Sequence, residues 1–215
     1  MYRLVLFDMD GTLLQGRTIF HLAEKKGFKK ELKGFINSSL QPYEKTIEIA
    51  KLLKGISKDE LLSLFHEIPF RPHVNELIST LKKHGFIIAL ATDSYDIVAN
   101  AVKGRLSLDY SFANNLIFND TICTGEVKIH NTEYVADEIT SEFYSISKSC
   151  VLEQLCISHK ISLQESIAVG DGMVDCGMLK KAGLGIAVYA SKEVNRCANI
   201  STNNLMDILS YVNGR

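Results

Sequence analysis

The chain has 215 residues and a formal charge of −1, with 24 Lys and Arg against 25 Asp and Glu. That length suits one large α/β domain with a small insertion. The balanced charge gives no electrostatic case for nucleic acid or an anionic membrane as main partner.

The longest apolar runs fall far short of the ~20 residues that span a bilayer. The first strand is entered by Arg3, which leaves no room for a signal peptide. Five cysteines without a Cys-x-x-Cys pair read as reduced packing thiols of a cytoplasmic protein, and argue against a zinc site.

Leu4-Val5-Leu6-Phe7 is an unbroken apolar run, as expected of a buried strand in a parallel sheet. Asp8-Met9-Asp10-Gly11-Thr12 follows at once, placing two carboxylates where open α/β sheets bind ligands. Acids one residue apart repel, so they make sense around a cation or in different chemical jobs. Asp and Gly after a strand also make ordinary turns.

Residues 15–71 change character, with helical patterning, many lysines and no strand. Ser57-x-x-Glu60 is a capping box opening a helix over Leu61 to Glu67. Pro42 at a helix start, with Gly34 and Gly55 as breaks, predicts three or four short helices. The pairs Lys25-Lys26 and Lys29-Lys30 read as a solvated face.

Alternation then resumes. A helix from Pro72 to Lys83 leads into the strand Phe86 to Ala91, which ends in Thr92-Asp93-Ser94. A hydroxyl and backbone N–H groups there suit phosphate oxygens if a helix from Tyr95 to Arg105 starts just behind them. Asn119-Asp120 is a turn joining Leu116-Ile117-Phe118 to Thr121-Ile122-Cys123 as a hairpin. Residues 129–147 fit a helix or an extended loop.

Lys148 opens an apolar-periodic helix and offers one positive charge to a phosphoryl group. Ile167-Ala168-Val169 is another apolar strand, running into Gly170-Asp171-Gly172-Met173-Val174-Asp175. A helix starting near Val174 would aim Asp171 and Asp175, four apart, at one opening. A helix through Met178, a strand Leu184 to Val188 and a last helix from Asn203 to Val212 complete the chain. Hard oxygen donors with no His or Cys companion favour Mg2+ over zinc.

Asp8-Met9-Asp10-Gly11-Thr12-Leu13, Thr92, Lys148 and Gly170-Asp171-Gly172-x-x-Asp175 resemble, in order, the four motifs of the haloacid dehalogenase superfamily. Asp96-Ile97-Val98, Leu108 to Asn114 and Gly170 to Gly183 look like its phosphoserine phosphatase branch. The resemblance covers residues 1–14 and most of 72–210. It implies a doubly wound parallel sheet with an inserted small helical cap and a β-hairpin: core 1–14 plus 72–215, cap 15–71.

The same resemblance implies a magnesium-dependent phosphomonoester hydrolase acting on a small phosphorylated metabolite, as a monomer or homodimer. Asp8 would be the nucleophile and Asp10 the general acid and base. Asp8, the Asp10 carbonyl and Asp171 would hold Mg2+. Thr92, Asp93 and Lys148 would bind the phosphoryl oxygens, with Asp175 orienting Lys148 or a metal-bound water. A phosphotransferase using the same Asp8, or a non-catalytic protein binding a phospho-ligand, are the alternatives.

Departures fall in the cap and at two motif positions of the core. Relatives of that branch use a cap Glu for the substrate amino group and a cap Arg for its carboxylate. Here Arg17 stands at the Glu position, and residues 31–70 contain no Arg. Val174 and Asp93-Ser94 also replace usual motif residues. Arg17 either points to water or favours a second anionic group on the substrate.

Overall fold

The computed structural model describes residues 1–212. Leu4–Phe7 forms β1, buried at every position. Val5 and Phe7 join one apolar cluster while Leu4 and Leu6 join another, because alternate side chains of a strand face opposite ways. A strand apolar on both faces needs a cover on each. Leu77 and Leu81 with Val98 and Val102 supply the first, and Leu152 and Leu155 with Met178 and Leu179 the second.

Six further strands extend the sheet: β2 (Ile87–Tyr95), β3 (Tyr110–Asn119), β4 (Ile122–Lys128), β5 (Ser166–Gly170), β6 (Leu184–Val188) and β7 (Ile200–Thr202). Their order is β4-β3-β2-β1-β5-β6-β7, with all neighbours parallel except the antiparallel β3–β4 hairpin. Phe7 pairs with Leu90 on one side and Val169 on the other. That register brings Asp8, Thr92 and Asp171 out at one edge of the sheet, beside its centre.

Four helices lie between β1 and α5 (Val74–Lys83): α1 (Thr18–Lys26), α2 (Lys29–Ile36), α3 (Pro42–Lys51) and α4 (Lys58–His66). Pro42 opens α3 behind a Gln41/Glu44 capping box. The Ser57 hydroxyl caps α4 by accepting the Glu60 N–H at 3.1 Å, so that helix begins at Lys58, earlier than Leu61. The core helices are α6 (Asp96–Leu106), α7 (Lys148–His159), α8 (Cys176–Lys181), α9 (Lys192–Asn195) and α10 (Ile208–Val212). No helix among the described residues is long and apolar enough to cross a membrane.

Several boundaries differ from expectation. β2 runs through Thr92-Asp93-Ser94 to Tyr95, so the following helix starts one residue later, at Asp96. His73 takes a left-handed conformation and delays α5 to Val74. The last helix starts at Ile208, because the Asn204 side chain accepts the Met206 N–H and caps a preceding turn. Residues 129–147 form an irregular loop. The Asn131 side chain organises it by bonding the backbone of Val135 and Tyr144.

One composition-based expectation is overturned. Cys176 and Cys197 form a disulfide, and only Cys123, Cys150 and Cys156 remain free. A separation of 21 residues carries no motif, and the fold alone brings the two sulfurs together.

Asn114, fully buried on β3, joins three segments. Its amide donates to Asp93 O at 2.7 Å and to Ser145 Oγ at 2.9 Å, and its Oδ1 accepts the His130 N–H at 3.0 Å. Asn114→Ala leaves these buried partners unsatisfied at about 1–3 kcal/mol, mostly recoverable only by water entry. The expected outcome is a Tm lowered by roughly 3–10 °C in thermal unfolding. An unchanged Tm would remove Asn114 as the tie between the β2 end and the 129–147 loop.

Candidate active site

Asp8 follows β1 and its carboxylate meets the buried ammonium of Lys148 at 2.5 Å. The same ammonium reaches Asp175 Oδ1 at 2.6 Å. Lys148 begins α7 and its side chain is wholly out of solvent. Burial disfavours its charge, but Asp175 and Asp8 override that and hold it above the ordinary lysine range. Asp175 spends its other oxygen on the N–H groups of Asp171 and Gly172, at 3.0 and 2.9 Å. Both of its oxygens are therefore engaged within the protein.

Asp10, two residues after Asp8, has a different environment. Its Oδ1 accepts the Thr18 hydroxyl at 2.6 Å and the Thr18 N–H at 3.1 Å, at the first residue of α1. Burial lifts it to about 7, against the Thr18 bond and with the Asp8 charge adding to the rise. Asp8 is pushed up to about 6 by burial, with Lys148 opposing. Burial and then Asp175 raise Asp171, against Arg17.

Two glycines are dictated by this crowding. Gly11 lies in the left-handed region at φ 89°, and a Cβ there would overlap the Asp171 carboxylate. A Cβ on Gly170 would overlap Asp175. Only glycine lets the two loops approach so closely.

Carboxylate oxygens of Asp8, Asp171 and Asp175 lie within 4.8 Å of one another. An all-oxygen donor set of this kind fits a hard divalent cation such as Mg2+. With Asp175 committed to Lys148 and two N–H groups, Asp8 and Asp171 are the side chains free to ligate.

The sequence-nominated residues converge, with two qualifications. Asp8, Asp10, Asp93, Asp171, Asp175 and Arg17 all line one cavity of about 260 Å³. Thr92, next to the lining residue Asp93, is fully buried and not itself among the lining residues, and its hydroxyl accepts the Ser94 N–H at 3.1 Å. Asp171 and Asp175 do not sit on a helix starting near Val174, since Asp175 ends a short 3-10 turn, Met173–Asp175, and the α-helix begins only at Cys176.

Other residues carried little or no signal. Arg71 donates twice to Gly11 O, at 3.1 and 2.9 Å, and stacks over the Tyr189 ring, pinning the loop after β1 from 60 residues away. Thr12, inside the first motif, donates to Asp171 Oδ1 at 3.0 Å. Tyr144 of the 129–147 loop and Lys45 of α3 also line the cavity. No local pattern marks either.

The model of the haloacid dehalogenase-like hydrolase family matches residues 5–180, and the chain belongs to that family. Within it the chain is phosphoserine phosphatase-like. It is 32% identical to the phosphoserine phosphatase of Methanocaldococcus jannaschii over 98% of this chain and 97% of that protein. It is also 32% identical to the one from Idiomarina loihiensis, over 96% and 91%. A solved substrate-bound phosphoserine phosphatase complex superposes with a TM-score of 0.84 at 31% identity, covering 98% of both chains.

The raised Asp10 pKa makes a stability prediction. The folded protein binds this proton more tightly than the unfolded chain does, where the carboxyl titrates near 4. The stabilisation is full below that value and is lost as pH rises to about 7. Lys148, also raised, titrates far above this window and adds no slope within it. In chelator-treated protein, the Tm of wild type relative to Asp10→Asn should therefore fall steadily from pH 4 to 7. A Tm difference independent of pH would show that Asp10 is not held protonated by its surroundings.

Proposed function

We propose that this chain is a magnesium-dependent phosphomonoesterase for a small phosphorylated metabolite, working through an aspartyl phosphate on Asp8. The observation that carries it is the division of labour within one loop. Asp8 is kept available as an anion by a buried Lys148, while Asp10, two residues on, sits near pH 7 beside it. A nucleophile and a proton carrier are what stepwise ester hydrolysis needs.

In this reading Asp8 Oδ attacks phosphorus in line as the ester oxygen leaves. Asp10 gives that oxygen its proton, then takes one from the water that cleaves the aspartyl phosphate. Lys148 and the backbone and hydroxyl groups at Thr92 and Asp93 face the phosphoryl oxygens, whose charge spreads in the transition state. Asp175 positions Lys148. Asp8, the Asp10 carbonyl and Asp171 would hold the Mg2+, which supplies charge neutralisation at the phosphoryl group.

We further assign residues 15–71 as a cap over a core of 1–14 plus 72–215. Support comes from the cavity, whose other wall is built from α1, α2 and α3. Shutting bulk water out of such a site favours transfer chemistry.

Two measurements test the reading with para-nitrophenyl phosphate. Asp8→Asn should lower kcat by about a thousandfold or more, since an amide is a poor nucleophile. Chelation should abolish wild-type turnover and added Mg2+ restore it. Near wild-type rates in the variant, with its fold checked by circular dichroism, would sink the mechanism.

A further inference from the structure

We infer that the natural substrate carries a second anionic group on its leaving group and no ammonium, and that Arg17 selects for it. This deepens the phosphomonoesterase reading and rests on it.

The cavity has two chemically distinct walls. Every acid that lines it, Asp8, Asp10, Asp93, Asp171 and Asp175, comes from the strand ends of the sheet. The wall from residues 15–71 contains no acid. It is apolar at Ile19, Phe20, Ile36 and Ile49, and its charged groups are Arg17 and Lys45. A leaving group projecting away from Asp8 therefore meets methyl groups and two cations.

Arg17 is the less committed of the two. Its backbone is extended just before α1, and its side chain makes no capping bond. Its guanidinium has no hydrogen-bond or ion-pair partner among the described residues, whereas the Lys45 ammonium donates to Ile36 O at 2.9 Å. The guanidinium nevertheless lies over the turn after β5: Nη2 would sit 3.6 Å from a Cβ placed on Gly172. A five-donor planar fork held unpaired at the mouth of a site matches a carboxylate or phosphate.

An ammonium finds no comparable answer. Four of the five acids already have a partner, Asp8 and Asp175 in Lys148, Asp10 in Thr18 and Asp171 in Thr12, and the remaining oxygens of Asp8 and Asp171 are the ones that would ligate the cation. Asp93 is left, and after the effect of burial it is the charge that Arg17 feels most. A substrate ammonium at Asp93 would meet the guanidinium there.

The test compares 3-phosphoglycerate with phosphoserine, which differ by a hydroxyl in place of the ammonium. Propane-1,3-diyl bisphosphate serves as the second-phosphate arm and para-nitrophenyl phosphate as the reference. Wild type should show kcat/KM for one of the two esters with a second anionic group and no ammonium at least about tenfold above phosphoserine. The ester that wins distinguishes a carboxylate from a phosphate as the second anion. In Arg17→Ala, the preference for that ester over para-nitrophenyl phosphate should fall roughly ten- to hundredfold, the value of a charge-assisted contact. Arg17→Glu should reverse the order towards phosphoserine.

A binding readout accompanies turnover. By calorimetry in the Asp8→Asn background, Arg17→Ala should weaken the preferred ester by the same factor. Hydrolysis of para-nitrophenyl phosphate with phosphoserine preferred, or preferences unmoved by either Arg17 variant, would overturn this inference and leave the phosphatase reading standing. Failure to hydrolyse any of the four with Mg2+ would overturn both.

Discussion

A single ammonium holds this site together. Lys148 is buried between Asp8 and Asp175, joining the loop after β1, the start of α7 and the turn after β5. A lysine taken wholly out of water is costly unless paired and hydrogen-bonded, and here two carboxylates do both. Such a triad is weak evidence for stability, because desolvation offsets much of the attraction. What it fixes is geometry. Remove the lysine and two buried acids repel across the centre of the sheet, with Asp10 and Asp171 beside them. Even with Lys148 present the acids titrate above the ordinary carboxylate range, chiefly because they are buried, with their mutual repulsion adding to the rise and Lys148 opposing it. That repulsion is also the condition in which a divalent cation binds most favourably.

What was legible in the sequence was local. Leu4–Phe7 and Ser166–Gly170 are fully buried strands whose apolar runs announce them, and their acidic loops follow within a residue or two. Parallel pairing of β1 with β2 and β5 in one register then suffices to bring Asp8, Thr92 and Asp171 together. The strand ends were less legible. β2 continues to Tyr95 because the Asn114 amide bonds the carbonyl oxygens of Asp93 and Ser94 from a neighbouring strand, and no pattern within 92–95 reports that. Arg71, Tyr144 and the Cys176–Cys197 pair share this property, since each acts through a contact that the fold creates. Residues 129–147 lack periodicity for a good reason. Asn131 and Asp137 side chains, rather than repeating backbone bonds, hold that loop in place.

The helical block is fastened at three places. Where the chain leaves and re-enters the sheet, Gln15 N bonds Pro69 O at 2.8 Å, so the two crossings lie side by side. On one flank Gly55 and Cys123 N–H groups exchange bonds with Cys123 and Ile56 carbonyls, both at 2.9 Å, which seats the block on β4. On the other, Tyr43 N bonds Phe143 O at 2.9 Å, and the Tyr43 ring meets Tyr134 edge-on. The hairpin and the long loop thus both hold the block. Both would have to yield for the whole block to swing.

This fastening bears on the surroundings of Asp10, because α1 supplies the only side chain among the described residues that bonds it. Docking of α1 does two opposed things to that acid. It removes water, which raises the pKa, and it offers the Thr18 hydroxyl and N–H, which lower it. Burial is the larger effect, so the docked arrangement holds the proton near neutral pH. If α1 moved away, Asp10 would lose the burial and the Thr18 bonds together, while the neighbouring Asp8 and Asp93 charges would remain. The seating of α1 thus sets both the surroundings of Asp10 and the placing of Arg17 against the cavity.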